Sequence, residues 1–286
     1  MRFLSRSCRT DLAAEAHSLH HDCGELTRES GVIAREENVR GFSVTRVEIL
    51  NPRGEETLGL PCGVYDCMKL NVVPLRSSPD FSEAVAGLAT LIGRCLPSPH
   101  PKSVLIAALG NPAVTPDALG SLAAEAILVT RHLTRDSLFK GLCSTALCRP
   151  GVLGTSGVES AFQVKALCEA LRPDCVIGID ALAAAEPDSL CRCVQITDAG
   201  IAPGSGIGNN REALNAGFLG VPFLAVGVPT VIDASLFPDL PSLSSLFVTP
   251  RDIDTSVHAL GRLVGYAVNL ALNPTLGLEE MDYLLN

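Results

Sequence analysis

The chain has 286 residues, of which 47% are hydrophobic, and a formal net charge of −9; this suits one large buried core and excludes a disordered chain. With no run of Lys or Arg, it offers no electrostatic footprint for nucleic acid. No apolar stretch reaches the roughly 20 residues needed to cross a bilayer, and MRFLSRSCRTD at the start lacks the apolar centre of a signal peptide, so the expectation is a soluble, cytoplasmic protein without a membrane partner.

In chain order, Leu12 to Leu19 is rich in Ala and Leu and predicts a helix. Gly31 to Glu36 and the alternating stretch Phe42 to Leu50 predict a hairpin around Asn38 and Gly41. A third strand near Gly63 to Leu70 completes a small N-terminal antiparallel patch. After a linker from Pro74 to Asp80, the spacing of Val85, Leu88, Leu91, Ile92 and Cys95 predicts a helix that Pro97 ends. From Ser103 the rhythm becomes strand and helix in alternation. The apolar run Val104 to Ala108 breaks at Gly110-Asn111-Pro112 and restarts at Thr115-Pro116-Asp117, with a helix expected through Leu122, Ala126 and Val129 to His132. A strand near Thr145 to Cys148 precedes a helix from Ser156 to Arg172, with Val158, Phe162, Leu167 and Leu171 facing inward. Cys175 to Ala183 is almost wholly apolar but carries Asp180; such a run is buried on both faces, as in a parallel sheet. Strands at Cys193 to Asp198 and Val221 to Val228, then a helix from Asp252 to Leu272, complete an α/β fold with a mostly parallel sheet between helical layers.

Familiar signatures fail. Gly204-Ser205-Gly206-Ile207-Gly208 is not a dinucleotide loop, because Asn209 stands where the last glycine is required, and Ser205 lacks the frame of a nucleophile elbow. The glycines near Gly204 suit the close approach of a substrate backbone. There is no P-loop lysine motif, no HExxH, and no paired CxxC among the 11 cysteines, which reads as reduced thiols. His20 and His21 lie in a polar segment and are expected to be exposed. Two acids remain, each at the carboxyl end of an apolar strand, where α/β proteins place their chemistry: Asp117 and Asp180. Asp117 also fits a helix cap after Thr115-Pro116. Asp180 is harder to account for structurally, because a carboxylate on such a strand costs several kcal/mol unless it has a partner, a metal or a proton. Brought together, the two would share a proton and could activate water while protonating a leaving group.

Several segments carry a resemblance: RTDLAAEA from Arg9, GVIAREEN, LGNPAVTPDALG from Leu109, TRHL from Thr130, GTSGVES, PDCVIGIDALAA from Pro173, ITDAGIAPGSGIGN from Ile196, VPFLAVGVPTVIDA from Val221 and LFVTPRDID. In content and order the chain resembles the germination proteases of spore-forming bacteria over nearly its whole length. The resemblance implies an endopeptidase that degrades small acid-soluble spore proteins during germination, in the forespore and spore core. It also implies a homotetramer made as a zymogen, with a fold related to hydrogenase maturation proteases. It assigns the catalytic roles of an atypical aspartic peptidase to Asp117 and Asp180. Asn111, His132, Asp198, Gly204, Ser205 and Gly206 are then expected to bind substrate or shape the site. Residues 1–11 would be a propeptide, cut between Asp11 and Leu12, and residues 12–286 one peptidase domain. Asp11 before Leu12-Ala13-Ala14 fits a helix N-cap as well. The family arginine after IDALAA is Ala185 here, basic residues after GSGIGN are reduced to Arg211, and the stretch from Asp233 to Val248 is compact.

No cofactor is expected under this reading. Two alternatives stand beside it. A metallopeptidase would use Asp117 and Asp180 as oxygen ligands, with His132 or Asp198 completing the set. A non-catalytic homologue would hold spore proteins without cutting them.

Overall fold

The computed structural model describes residues 10–22, 31–133, 136, 139–202, 212–237 and 246–285. The predicted hairpin is β1 (Val32–Val39) and β2 (Phe42–Ile49), joined by Arg40 and Gly41. Both turn residues have positive φ, 56° and 87°, the geometry whose twist matches paired strands. The helix of the N-terminal segment, α1, spans Ala13–Asp22. Between β2 and β3 (Gly63–Lys69) lies α2 (Pro52–Leu58), which the sequence reading passed over. Its signals are local: Asn51 caps the Arg53 and Gly54 amides, Pro52 opens the first turn, and Gly59 closes it at φ 70°. The helix α3 (Phe81–Cys95) ends as expected before Pro97.

The parallel strands are β4 (Ser103–Ala108), β5 (Ser144–Cys148), β6 (Cys175–Ala184) and β8 (Phe223–Asp233). The remaining strands are β7 (Cys193–Thr197) and the short β9 (Phe247–Val248). The sheet order is β1-β2-β3-β7-β8-β6-β4-β5, with β9 beside β8. The sheet is therefore mixed rather than mostly parallel: three pairings are parallel and five antiparallel. The cause is β7, which runs antiparallel to both β8 and β3 and so welds the N-terminal patch to the parallel half. One row of paired residues crosses that weld: Cys67, Gln195, Gly227 and Asp180.

Helices cover both faces. On one, α3, α4 (Leu119–Ala124) and α8 (Ile253–Leu272) bury the largest apolar cluster, including Ile106, Ile177 and Val226. The helix predicted to run from Asp117 to His132 ends at Ala124. Asn269 of α8, 2% exposed, explains why: its side chain accepts from the Leu128 amide and donates to the Ala126 carbonyl, satisfying backbone that has left the helix. On the other face lie α5 (Leu153–Ser156), α6 (Ser160–Leu171) and α7 (Ala216–Leu219). The inward face expected for α6 is corrected in part. Ala161, Val164 and Cys168 are buried against the sheet with Leu167 and Leu171 packed beside them as expected, while Val158 and Phe162 are 46% and 52% exposed. A last helix, α9 (Leu278–Leu285), packs on α8. No described helix is long and apolar enough to cross a membrane.

Candidate functional site

The exit from β4 organises the site. Ala108 pairs with Ile179, and the next amide, Leu109 N–H, donates to the Ile179 carbonyl at 2.9 Å. Gly110 then turns the chain at φ 92°, where a Cβ would lie 2.0 Å from the Asp117 carbonyl oxygen. Only glycine fits. Asn111 N–H donates back to Asp117, to its carbonyl at 3.0 Å and its carboxylate Oδ2 at 2.9 Å, and the Asn111 side chain accepts from the Ala113 amide. Asp117 thus sits in a 3-10 turn, Thr115–Asp117, with its carboxylate bonded to the β4 exit. The cap position of α4 is Ala118, which makes no side-chain cap bond, so the helix-cap reading of Asp117 is replaced by this one. The turn packs on β6 and β8, and Thr230 of β8 donates its hydroxyl to the Pro116 carbonyl at 2.7 Å. Gly120 presses α4 onto the same exit, because a Cβ there would lie 2.3 Å from the Leu109 carbonyl and 2.7 Å from that of Ile179.

Asp180 follows Ile179 directly. It is 3% exposed, and its Oδ1 accepts from the Ala181 amide at 2.9 Å. The Leu109 amide, which bonds the carbonyl of Ile179 just before Asp180, and the Asn111 amide, which bonds Asp117, are two residues apart in the chain, at most about 7 Å. On its face of the sheet Asp180 is flanked by glycines, Gly178 along β6 and Gly227 across on β8. It lies at a seam between two apolar clusters, one with Val176, Phe223 and Ala225, the other with Leu12, Leu182 and Ile232. Ile201 packs against both and bridges Leu214. The chain between those residues carries Gly204, Ser205, Gly206 and Arg211, which lie outside the described residues.

The structure does not bring His132 or Asp198 to the pair. His132 is exposed, in the 3-10 turn Arg131–Leu133, whose Arg131 bonds Ser103 at the first residue of β4. Asp117 is past the last residue of that strand, about 16 Å of strand away. Asp198 is exposed after β7, at the amino ends of β6 and β8 because β7 runs the other way, and accepts from the Val64 amide at 2.7 Å. The oxygen-ligand set with His132 or Asp198 is therefore not assembled, and the described residues contain no cluster of three His, Cys, Asp or Glu suited to a metal. Cysteine chemistry is equally poorly placed. Burial pushes the Cys95, Cys148, Cys175 and Cys191 thiols up to about 12, and a hydrogen bond with Cys67, together with burial, holds Cys193 well above its ordinary value. None of these five is a thiolate at neutral pH.

Asp11 and Leu12 lie on the same face as Asp180. Asp11 N–H donates to the Ala183 carbonyl at 3.0 Å, and its Oδ2 accepts from the Ala183 amide at 2.8 Å. Leu12 is 1% exposed. The alternative reading of Asp11 as the N-cap of α1 is not met, since the residue before the helix is Leu12 and Gln195 Oε1 takes the Ala13 amide, at 2.9 Å. Gln195 was missed in the sequence, although a lone glutamine inside the apolar strand CVQIT was a legible signal.

The family profile described as germination protease matches residues 10–239. A germination protease of Caldanaerobacter subterraneus is 36% identical, covering 97% of this chain and 98% of its own. One from Clostridium perfringens is 31% identical over 97% of this chain and 99% of its own. One from Bacillus cytotoxicus is 39% identical over 79% of this chain and 63% of its own. Among solved structures, a nickel–iron hydrogenase maturation protease from Thermococcus kodakarensis aligns at TM-score 0.38 and 16% identity, over 62% of this chain and 98% of the other.

Proposed function

Because this chain belongs to the germination protease family, we propose that it is an endopeptidase of spore germination whose chemistry is carried by Asp117 and Asp180. The observation that supports the pair is their common anchorage at the β4 exit, Asp180 through the Leu109–Ile179 bond and Asp117 through Asn111. In this reading a water lies between the carboxyl groups. The ionised one takes a proton as the water oxygen attacks the peptide carbonyl carbon; the protonated one donates to the carbonyl oxygen and, as the C–N bond breaks, a proton passes to the leaving nitrogen. The substrates would be small acid-soluble spore proteins, met as extended chains in the spore core. The chain would be made as a zymogen and would work as a homotetramer. No step requires a metal.

Asp117→Asn and Asp180→Asn should each lower peptide turnover by at least about a thousandfold without unfolding the protein, since members of a cooperating pair are not additive. Wild-type turnover should survive chelator. Full activity in either folded variant would refute the pair, and loss of activity on chelation, restored by metal, would favour a metallopeptidase.

A further inference from the structure

Within the apolar run of β8 from Phe223 to Ile232, Thr230 carries the one hydroxyl, and it is fully buried. Its place in the strand is irregular. Leu182 of β6 pairs with Pro229 and Ala183 with Val231, so Thr230 is an extra residue on β8, a bulge. In a regular strand residues four apart share a face, yet Val228 belongs to the apolar cluster under α8 and Ile232 to the one around Leu12 on the opposite face. The extra residue makes that switch. It also leaves the Thr230 hydroxyl at the Asp117 turn, donating to the Pro116 carbonyl at 2.7 Å. The Thr230 carbonyl accepts in turn from the hydroxyl of Thr249, just beyond β9, at 3.0 Å, so the bulge is braced from a second segment.

The Thr230 bond lands on the peptide that carries Asp117. The oxygen of the Pro116–Asp117 peptide takes the hydroxyl, and its N–H donates to the Val114 carbonyl at 2.8 Å; on the far side of Asp117, its own carbonyl accepts from the Asn111 amide at 3.0 Å. Asn111 and Val114 belong to the turn itself. Thr230 belongs to the sheet, on the strand beside Asp180, three residues after the Gly227 that pairs with Asp180. For the strand alone valine would pack as well, because a buried hydroxyl costs free energy unless it is bonded; the hydroxyl serves the turn.

We propose that Thr230 is the positioning residue of the aspartate pair: its hydroxyl, carried on the bulge, fixes the Pro116–Asp117 peptide against β8 and so sets the separation of the Asp117 and Asp180 carboxyl groups. This rests on the function proposed above and adds the element that holds the pair together. Two carboxyl groups that share a water and a proton work only within a narrow range of distance, and a misplacement of about 1 Å can cost about a hundredfold in rate. Thr230 acts through Asp117 and not on the substrate.

The test uses the full chain with a small acid-soluble spore protein as substrate. Thr230→Val keeps the branched shape and removes the donor; kcat should fall between about tenfold and a hundredfold with KM within about twofold. Deuterium exchange across residues 111–117 should rise at least about tenfold while β4 and β6 keep their protection. Thr230→Ser, which restores the hydroxyl, should return both kcat and exchange to within about threefold of the wild type. If Thr230→Val does not fold, Thr249→Val, which removes only the brace on the bulge, should lower kcat at least about threefold at unchanged KM. Wild-type exchange at the turn in Thr230→Val, or no rescue by serine, would overturn the proposal. A loosened turn with wild-type kcat would overturn the positioning role and leave the aspartate pair standing. A slowed Thr230→Val beside a folded, fully active Asp117→Asn would sink the pair, and with it any route from Thr230 through Asp117.

Discussion

At the scale of single residues, two glycines with similar dihedrals separate strain from collision. Gly41 at φ 87° has nothing within 4 Å of where a Cβ would stand, so Gly41→Ala should cost only the left-handed backbone penalty, about 1 to 2 kcal/mol. Gly110 at φ 92° has the Asp117 carbonyl oxygen at 2.0 Å from that position. Gly110→Ala must push the Asp117 turn off the β4 exit, and we expect a loss of at least about 3 kcal/mol in urea melts together with near-complete loss of turnover. A Gly110→Ala protein as stable and active as the wild type would contradict the account of the turn. The sequence marked this stretch through its Gly-Asn-Pro break, but it put both aspartates at strand ends, whereas Asp180 lies within β6, four residues before its end, and Asp117 lies in the 3-10 turn beyond β4. It could not show that the Asp117 carboxylate folds back onto Asn111 instead of capping a helix, because one aspartate in a turn satisfies either demand locally.

At the scale of elements, the fit between helices decided what periodicity left open. The pattern from Asp117 to His132 is helical on paper, yet α4 stops at Ala124, where Asn269 supplies the missing bonds from another helix. In α6 the sheet took Ala161, Val164 and Cys168 with Leu167 and Leu171 beside them, and left Phe162 outside. The α9 helix is held by a polar lock. Arg76 and Tyr266 both donate to Asp282, and Arg76 stacks over the Phe81 and Tyr266 rings at 5.3 and 5.7 Å. The Arg76 hydrogen bond holds the Asp282 carboxyl below its ordinary value. A carboxyl depressed on folding adds stability that is full above its unfolded value, about 4, and is lost as pH falls through the folded one. Acidification below about pH 4 should therefore raise deuterium exchange in α9 before it does so in β4 or β6, and Asp282→Asn should do the same at pH 7. The side chains are about one-third exposed, so the effect belongs to α9 and not to global stability. Equal exchange across all elements during acidification would count against the lock.

At the scale of the whole molecule, one sheet, nine-stranded among the described residues, carries Asp180 and the docked N-terminal segment, with the Asp117 turn packed against it. If that segment is the self-cleaved propeptide, the purified chain should lose residues 1–11 on incubation, with the new terminus at Leu12 seen by mass spectrometry, and Asp180→Asn should not lose them. Exchange at Ala13 to Glu15 should rise after the cut. Cleavage at the same rate in Asp180→Asn would assign the event to another protease. The sequence by itself determined the α/β class, the hairpin, most strand positions and the family, because apolar period, turn chemistry and ordered motifs are written locally along the chain. The tertiary structure alone decided that the sheet is mixed, that His132 and Asp198 stand away from the pair, and that Gln195 meets Asp11. Those outcomes depend on strand order and direction. Gln195 and Asp11 are 184 residues apart in the chain, and only the antiparallel entry of β7 between β3 and β8 brings them to one hydrogen bond.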